Sequence, residues 1–487
     1  MFDEYVYVQS PAEYANRILV IDEDQLEEST NYSACFAAHG FEIVRYVDDL
    51  WFRINYEETI KSVDCKLVVL AKAGQYVPYD LQKQMSPFIV SLINLFPRLD
   101  SEVIAGKEKR DYDLLSQAYL NNFDDYKSRE KTEQFLREFV YTKKNVELFL
   151  AKSLQKLLDR MKDCSDYKEW FAIAEEKAQL DVLAVRYQIS FDTTEINQSF
   201  KNYVLSQYGK LSTCLDSTGP VLVSRAMEFM KENSQRFVII VMDGMAEFDW
   251  YVLQNSFNDF VYHKTSAFAM IPTVTSVSRQ CLLSNKFPVE LLEPWKQSKE
   301  KNEFIACAKE MGFKENQISY QRGYDSEFTS SVRCGAVIIN DIDDIVHGQK
   351  LGRIGMYHDV KILAEQAKLA SMVKRFLAVG FDVYISADHG NTTRKGMGKM
   401  LTTGVETETK SKCLLVLKDF ADKEGMKESR RLLEFPKYYL PKSYDYLICD
   451  VGESFDAKGE EVMSHGGISI EECIVPFVQL KAEENHG

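Results

Sequence analysis

Three continuous apolar runs, each closed by aspartate, constrain this chain more than any other feature. They are RFVIIVMDGM (236–245), GAVIINDIDD (335–344) and FDVYISADHG (381–390). A strand with one solvated face alternates apolar and polar residues. Uninterrupted runs instead suit strands buried on both faces of a mostly parallel sheet. In open α/β sheets of that kind ligands bind at the carboxyl ends of the strands. Three ends bearing aspartate therefore predict three carboxylates along one rim. A single strand-end aspartate is weak by itself, because Asp243 could simply cap the following helix through its side chain.

The histidines strengthen the pattern. Asp343 and His347 stand four apart in DDIVH, a spacing that puts both on one helix face and lets both ligate one ion. Asp388 and His389 are adjacent at a strand end, followed by Gly390. His465 lies in SHGG, where two glycines let the backbone fold tightly around the imidazole. The chain has seven histidines. His39, His263, His358 and His486 lie outside such contexts, and His358, next to Asp359, reads as a surface or structural residue.

A nucleophile is sought in IPTVTSVSRQCLLSNKFP (271–288), which places Thr273, Thr275, Ser276 and Ser278 after Pro272. A helix is expected from Ser276 onward. Unpaired N–H groups and the positive dipole end at a helix start favour a nearby phosphate. Plain capping by these hydroxyls is the simpler alternative. Arg279, one turn further on, is in reach of a bound phosphate.

Around this core the chain is long enough, at 487 residues, for about two to four domains. Between Pro97 and Pro220 there is no proline, and over 106–215 the only glycines are Gly106 and Gly209. TEQFLREFVY and NVELFLAKSLQKLLDRM repeat apolar residues at threes and fours. Residues 106–215 are therefore expected to form a helical module, with a small α/β accessory domain over 1–105 and a second α/β domain, holding the three aspartate-ended runs, over 216–487. In the accessory domain RILVIDED (17–24) and KLVVLAKAG (66–74) read as strands, and FEIVRYVDDLWFRINY (41–56) as one or two more. Asp22-Glu23-Asp24 after a strand resembles a receiver domain, but the phosphoacceptor aspartate and its surroundings are not evident, and that reading is rejected.

Composition excludes other classes. Hydrophobic content of 45% and charged content of 27% rule out a mainly disordered or fibrous chain. The acidic, aromatic start MFDEYVYVQS is no signal peptide, and no apolar run approaches the ~18 residues of a membrane span. A net charge of −15 argues against nucleic-acid binding through the overall field, while leaving a local basic groove open. Ten scattered cysteines, none in a C-x-x-C pair, read as reduced thiols and a cytoplasmic location.

Taken in order, DGM, P-T-V-T-S-x-S-R, D-x-x-x-H, D-H-G and H-G-G resemble the alkaline phosphatase superfamily. More narrowly they resemble the PglZ-domain proteins of BREX-type bacterial phage-defence systems and of some response regulators. The resemblance covers about residues 216–487, and the front half also looks like that of defence-type PglZ proteins. It implies an alkaline-phosphatase-like α/β domain with a mostly parallel central sheet, acting as a metal-dependent phosphoric ester hydrolase with two divalent ions. Asp243, Asp388 and His389 would hold one ion, with the Thr275 oxygen as a further ligand, and Asp343, His347 and His465 the other. Mixed histidine and carboxylate ligation suits zinc, with manganese the alternative. In related sulfatases and nucleotide pyrophosphatases the nucleophile stands ten residues before a helix-ending glycine. Counting back from Asn285 selects Thr275 over Thr273. Asn285 departs from the usual glycine but is the next-best left-handed cap. Three aspartates lie within 341–344, so the choice of Asp343 rests on its spacing to His347.

The expected activity is a phosphodiesterase, since only Arg279 is evident to hold the extra charge of a monoester. Its substrate is a phosphoester that the residues do not name, and its partners would be other defence-system proteins. A mutase of the same superfamily needs a cap inserted within the catalytic domain, whereas the extra segments here precede it. A PglZ-like scaffold without catalysis is the alternative from another class; all seven site positions being filled argues against it.

Overall fold

The computed structural model describes residues 1–62, 65–162, 164–399, 411–418 and 423–482. The chain divides into two compact units, Met1–Ser153 and Leu154–Gly487. In the first, β1 (Arg17–Asp22), β2 (Glu42–Arg45), β3 (Leu67–Lys72) and β4 (Ser86–Val90) form a sheet in the order β2-β3-β1-β4. All three pairings are parallel. Leu19, Val44, Phe52, Leu67 and Val69 pack into a core beside it.

The stretch 41–56 gives one strand, not two. After β2 the chain turns into the helix Asp49–Lys61, started by the Asp48 carboxylate, which accepts from Trp51 N at 2.8 Å. An N-cap of this kind overrides the strand preference of the aromatic residues that follow.

The helices expected as one module over 106–215 are divided between the units. Helix Lys109–Leu120 packs with the N-terminal helix through Phe2 against Tyr112, and its Gln117 bonds Asn145 at 2.8 Å. Helices Tyr167–Arg186 and Thr194–Gln207 belong to the second unit. There Trp170 meets Phe200, Phe171 meets Phe268, and the Tyr208 hydroxyl donates to Ala269 O at 2.8 Å. The boundary falls inside helix Lys143–Met161.

The second unit carries β5 (Phe237–Met242), β6 (His263–Phe268), β7 (Ile318–Arg322), β8 (Cys334–Ile339), β9 (Asp382–Ser386), β10 (Thr392–Gly396), β11 (Leu414–Leu417), β12 (Leu433–Glu434), β13 (Asp445–Ile448), β14 (Glu453–Ser454), β15 (Glu461–Ser464) and β16 (Ile474–Leu480). Six of them form the central sheet, in the order β6-β16-β9-β5-β8-β7. Strand β16 runs antiparallel to both its neighbours, and the other five share one direction. Every residue of β5 and β8 is buried, as coverage on both faces demands. Each large aliphatic side chain placed there contributes roughly 1.5–3 kcal/mol over leaving it in water. Two three-stranded sheets, β14-β10-β15 and β11-β13-β12, flank this core in the chain's last hundred residues. Among the described residues no helix is long and apolar enough to cross a membrane.

Register puts the site on one edge. Val241 of β5 lies opposite Ser386 of β9, and Met242 opposite Ile339 of β8. The residues that follow, Asp243, Asp388 and the segment carrying Asp343, therefore emerge together at the carboxyl ends of three parallel strands.

Candidate active site

Asp243 continues the ladder by one bond, its N–H donating to Ile339 O at 2.9 Å. Gly244 then turns the chain at φ +75°, in the left-handed region that favours glycine. The Asp388 carboxylate spans the gap between β5 and β9: its Oδ1 accepts from Gly244 N at 3.3 Å and from His389 N at 3.1 Å. His389 gives its Nδ1 proton to Gly390 O at 3.0 Å. That fixes the tautomer and turns the Nε2 lone pair inward. Nε2 stands 3.9 Å from Asp243 Oδ1 and 3.8 Å from Asp388 Oδ2. All three residues are buried.

Asp343, His347 and His465 form a second group beside the first. Asp343 and His347 share a face of helix Asp341–Gly348, with His347 Nε2 at 3.4 Å from Asp343 Oδ2. His465 gives its Nδ1 proton to Thr273 O at 2.9 Å and directs Nε2 at Asp343 Oδ1, 3.7 Å away. The rings of His389 and His465 stack at 4.1 Å, so the two groups adjoin. Within each group the candidate ligand atoms all lie within 4.8 Å of one another.

Two features of these groups fit divalent cations. Asp243 Oδ1, Asp388 Oδ2 and Asp343 Oδ1 are buried and have no hydrogen-bond partner among the described residues. Stranded buried carboxylate oxygens are costly unless a cation meets them. The electrostatics agree. Burial and the neighbouring Asp388 carboxylate push Asp243 up to about 7, and burial raises Asp388 to about 6. Burial also works on Asp343, but the His347 hydrogen bond and the surrounding imidazoles outweigh it and hold that carboxyl down at about 2. Burial and the facing His389 ring lower His465 to about 4, which keeps its Nε2 lone pair free.

Arg279 is placed differently from the expectation that it reaches a phosphate. Its guanidinium is wholly buried. Nη1 donates to Asp243 Oδ2, and Nε donates to Glu300 Oε2 at 2.6 Å. The reason is helical geometry. Arg279 lies on the inward face of helix Thr275–Ser284, against the helix that begins at Glu300. It orients Asp243 by taking one carboxylate oxygen and leaving the other to face His389.

The hydroxyls separate cleanly. Thr275 is the first residue of its helix, is partly exposed, and has its Oγ1 3.0 Å from His389 Nε2. Thr273 is fully buried and its hydroxyl is engaged by Gly466, Gly467 and Glu472. Ser278 bonds Asp388 O and Met270 N, bracing the strand-end loop. Asn285 ends the helix at φ +53°, in the left-handed conformation expected of it. His358 takes no part in either group.

Two supporting residues escaped the reading of the sequence. Glu300 neutralises Arg279 from 21 residues away. Asn391 donates to Gly244 O at 2.9 Å and to Asp249 Oδ2 at 2.6 Å, and so ties the Asp243 turn to the loop after β9. Asn391 follows D-H-G directly, and that position was the only available signal.

Among the solved structures to which this chain shows similarity is murine ectonucleotide pyrophosphatase / phosphodiesterase 5, at 12% identity and TM-score 0.38. The alignment covers 50% of this chain and 88% of that one. Another is phosphonoacetate hydrolase from Sinorhizobium meliloti 1021 in complex with phosphonoacetate, at 9% identity and TM-score 0.31, covering 52% and 92%. No curated protein matches the sequence. The family model for the BREX system PglZ alkaline phosphatase-like domain matches residues 222–480, more than half of the chain and the whole of the central sheet described above. The chain therefore belongs to the PglZ family, and its second unit holds an alkaline phosphatase-like domain.

Proposed function

We propose that this chain is a two-metal phosphoester hydrolase that uses Thr275 as its nucleophile and prefers phosphodiesters. One observation carries the reading: a partly exposed hydroxyl stands 3.0 Å from His389 Nε2, beside three buried carboxylate oxygens that lack partners among the described residues. Asp243, Asp388, His389 and Thr275 would hold one ion, and Asp343, His347 and His465 the other. The donor set, three imidazoles and three carboxylates, favours zinc, with manganese as the alternative. When bound, such ions stabilise the threonine alkoxide and the charge on the transferred phosphoryl group.

The residues of the chain do the rest. Thr275 gives up its hydroxyl proton to water and its Oγ1 attacks phosphorus; the P–O bond to the leaving alcohol breaks, and that oxygen takes a proton from water. A second water then cleaves the phospho-threonine and restores the hydroxyl, so that one hard step becomes two easier ones. The preference for diesters follows from charge. A monoester brings an additional negative charge, and Arg279 is already committed to Asp243 and Glu300. The family description names the BREX system, in line with the phage-defence setting that the motifs' resemblance implies, and the unpaired cysteines accord with a cytoplasmic location. Direct contact with nucleic acid draws no support from a net charge of −15.

The Arg279–Asp243 pair also favours a second reading, a scaffold without turnover, because it already supplies a cation to the first group. The test is hydrolysis of bis-p-nitrophenyl phosphate and p-nitrophenyl phosphate by zinc-loaded protein. The diester should turn over faster, and Thr275→Ala should abolish the reaction. Faster monoester hydrolysis would overturn the preference. Two bound ions with no turnover of either compound would favour the scaffold.

A further inference from the structure

Glu472 has no exposed surface, yet its carboxylate is among the most heavily bonded in the chain. Oε1 accepts from Ser469 N at 2.9 Å, the carboxylate half of a capping box for the short helix Ile470–Cys473, and from Ser469 Oγ at 2.7 Å. The remaining contacts have nothing to do with capping. Oε2 accepts from Gly467 N at 2.7 Å and from the Thr273 hydroxyl at 2.9 Å. Oε1 is also paired with the buried Arg394, which donates a further bond to Glu453 O at 2.9 Å. Gly467 lets that guanidinium lie under the loop, since a Cβ there would come within 2.3 Å of Arg394 Nη2.

These bonds join two loops of the candidate active site. One is the loop of His465, Gly466 and Gly467. The other is the segment of Thr273 and Val274 that leads into Thr275. Thr273 is held from both sides: its hydroxyl accepts from Gly466 N at 3.0 Å, and its carbonyl receives the His465 Nδ1 proton at 2.9 Å. The His465 ring is thus aimed by a carbonyl whose own position is set through Glu472.

We propose that Glu472, anchored by Arg394 and acting through Thr273 and Gly467, is a positioning residue that fixes the His465 loop relative to the Thr275 nucleophile. It thereby sets the affinity of the group formed by Asp343, His347 and His465 for its ion. The proposal rests on the two-ion reading above. Partners at one remove from a metal change its affinity about 10–100-fold when they are altered.

The test is calorimetric titration of metal-free full-length protein with zinc. His465→Ala identifies which binding event belongs to the second group. Glu472→Gln and Thr273→Val should each weaken that event about 10–100-fold and leave the other unchanged, and Thr273→Ser should restore it. Thr273→Val leaves no buried charge unpaired, so it decides the matter if Glu472→Gln does not fold. Unchanged binding of both ions in the variants would overturn this proposal alone, and so would equal weakening of both, which would mean general loosening. A wild-type protein that binds no zinc would overturn the two-ion reading and this proposal with it.

Discussion

Asp243, Asp388 and His389 lie sealed at the ends of β5 and β9, whereas Asp343, His347 and His465 lie on a short helix and a glycine loop, with the His347 side chain 51% exposed. The buried half sets two carboxylates against one imidazole. The rim half sets one carboxylate against two imidazoles. In the buried half burial raises both carboxylates and Asp388 raises Asp243 further, so that even the Arg279 guanidinium leaves Asp243 high. In the rim half the imidazoles hold the single carboxylate ionised, although its Oδ1 keeps no hydrogen-bond partner among the described residues. The buried half therefore has the greater need of a cation as folded, with two stranded carboxylate oxygens to the rim half's one among the described residues. The lesson is that ligand sets of equal size can differ in how far the metal serves the fold as well as the chemistry.

The largest expected effect falls where the halves meet. Thr275→Ala removes the attacking oxygen and should lower turnover by orders of magnitude. Its stability cost should be small, about 0.5–1.5 kcal/mol, because among the described residues the hydroxyl's one bond is to His389. Thr273→Ala should keep the nucleophile and accumulate phospho-threonine under conditions where Thr275→Ala cannot. Mass spectrometry of protein quenched during turnover reads the difference. A labelled Thr273 in the wild type would move the nucleophile two residues upstream.

Next in size is the split in stability. Arg279→Met leaves Asp243 and Glu300 without their shared partner in the core. Breaking a buried ion pair from one side costs about 3–5 kcal/mol. His347→Ala, at the exposed end of the rim half, should stay within about 0.5 kcal/mol. Urea unfolding of the two metal-free variants measures both. Equal losses would erase the distinction between the halves.

The same contrast explains what could be read from the sequence. The apolar runs at 236–245, 335–344 and 381–390 announced β5, β8 and β9, because burial on both faces leaves no room for alternation. The four-residue spacing of Asp343 and His347 survived because helical geometry is local. Arg279 did not, because nothing in SRQCLL records that Asp243 and Glu300, 36 and 21 residues away, close around it. Residues 49–56 were open to a strand reading because their aromatic content suits both states, and the capping bond of Asp48 decides between them. Glu472 reads locally as half of a capping box, and its bonds to Thr273 and Gly467 exist only in three dimensions.

A third expectation concerns metal removal. An ion held by the rim half faces solvent through His347, while one in the buried half replaces a costly clash of carboxylates. Dialysis against graded chelator should remove zinc in two steps, the rim ion first, with affinities separated by at least about tenfold, or roughly 1.4 kcal/mol. His347→Ala should abolish the first step only. Loss of both ions in one step would show that the halves behave as one cluster.

The smallest effect is a pH dependence in the metal-free protein, and its sign distinguishes the halves. Asp243 and Asp388 are held up at about 7 and about 6, against about 3.9 for an unfolded aspartate. Between those limits the folded state binds more protons than the unfolded one, so their contribution to stability grows as pH falls from 7 toward 5. Asp343, held down at about 2, contributes fully above its unfolded value and is lost only as pH falls through about 2, so it is silent in this window. His465, held down at about 4, works against the buried pair: below about 6.5 the unfolded chain takes up a proton that the folded state refuses. His347, raised by its bond to Asp343, adds stability below that value and loses it as pH rises through its folded one. The buried contribution is isolated by comparing wild type with Asp243→Asn, which leaves both histidines in place. Relative to that variant, the metal-free wild type should gain stability on going from pH 7.5 to 5.5, by an amount on the order of 1 kcal/mol. Denaturant unfolding at the two pH values measures it. Parallel pH profiles in the two proteins would mean that the buried carboxylates are ionised in the fold without a metal, and the contrast between the halves would fail.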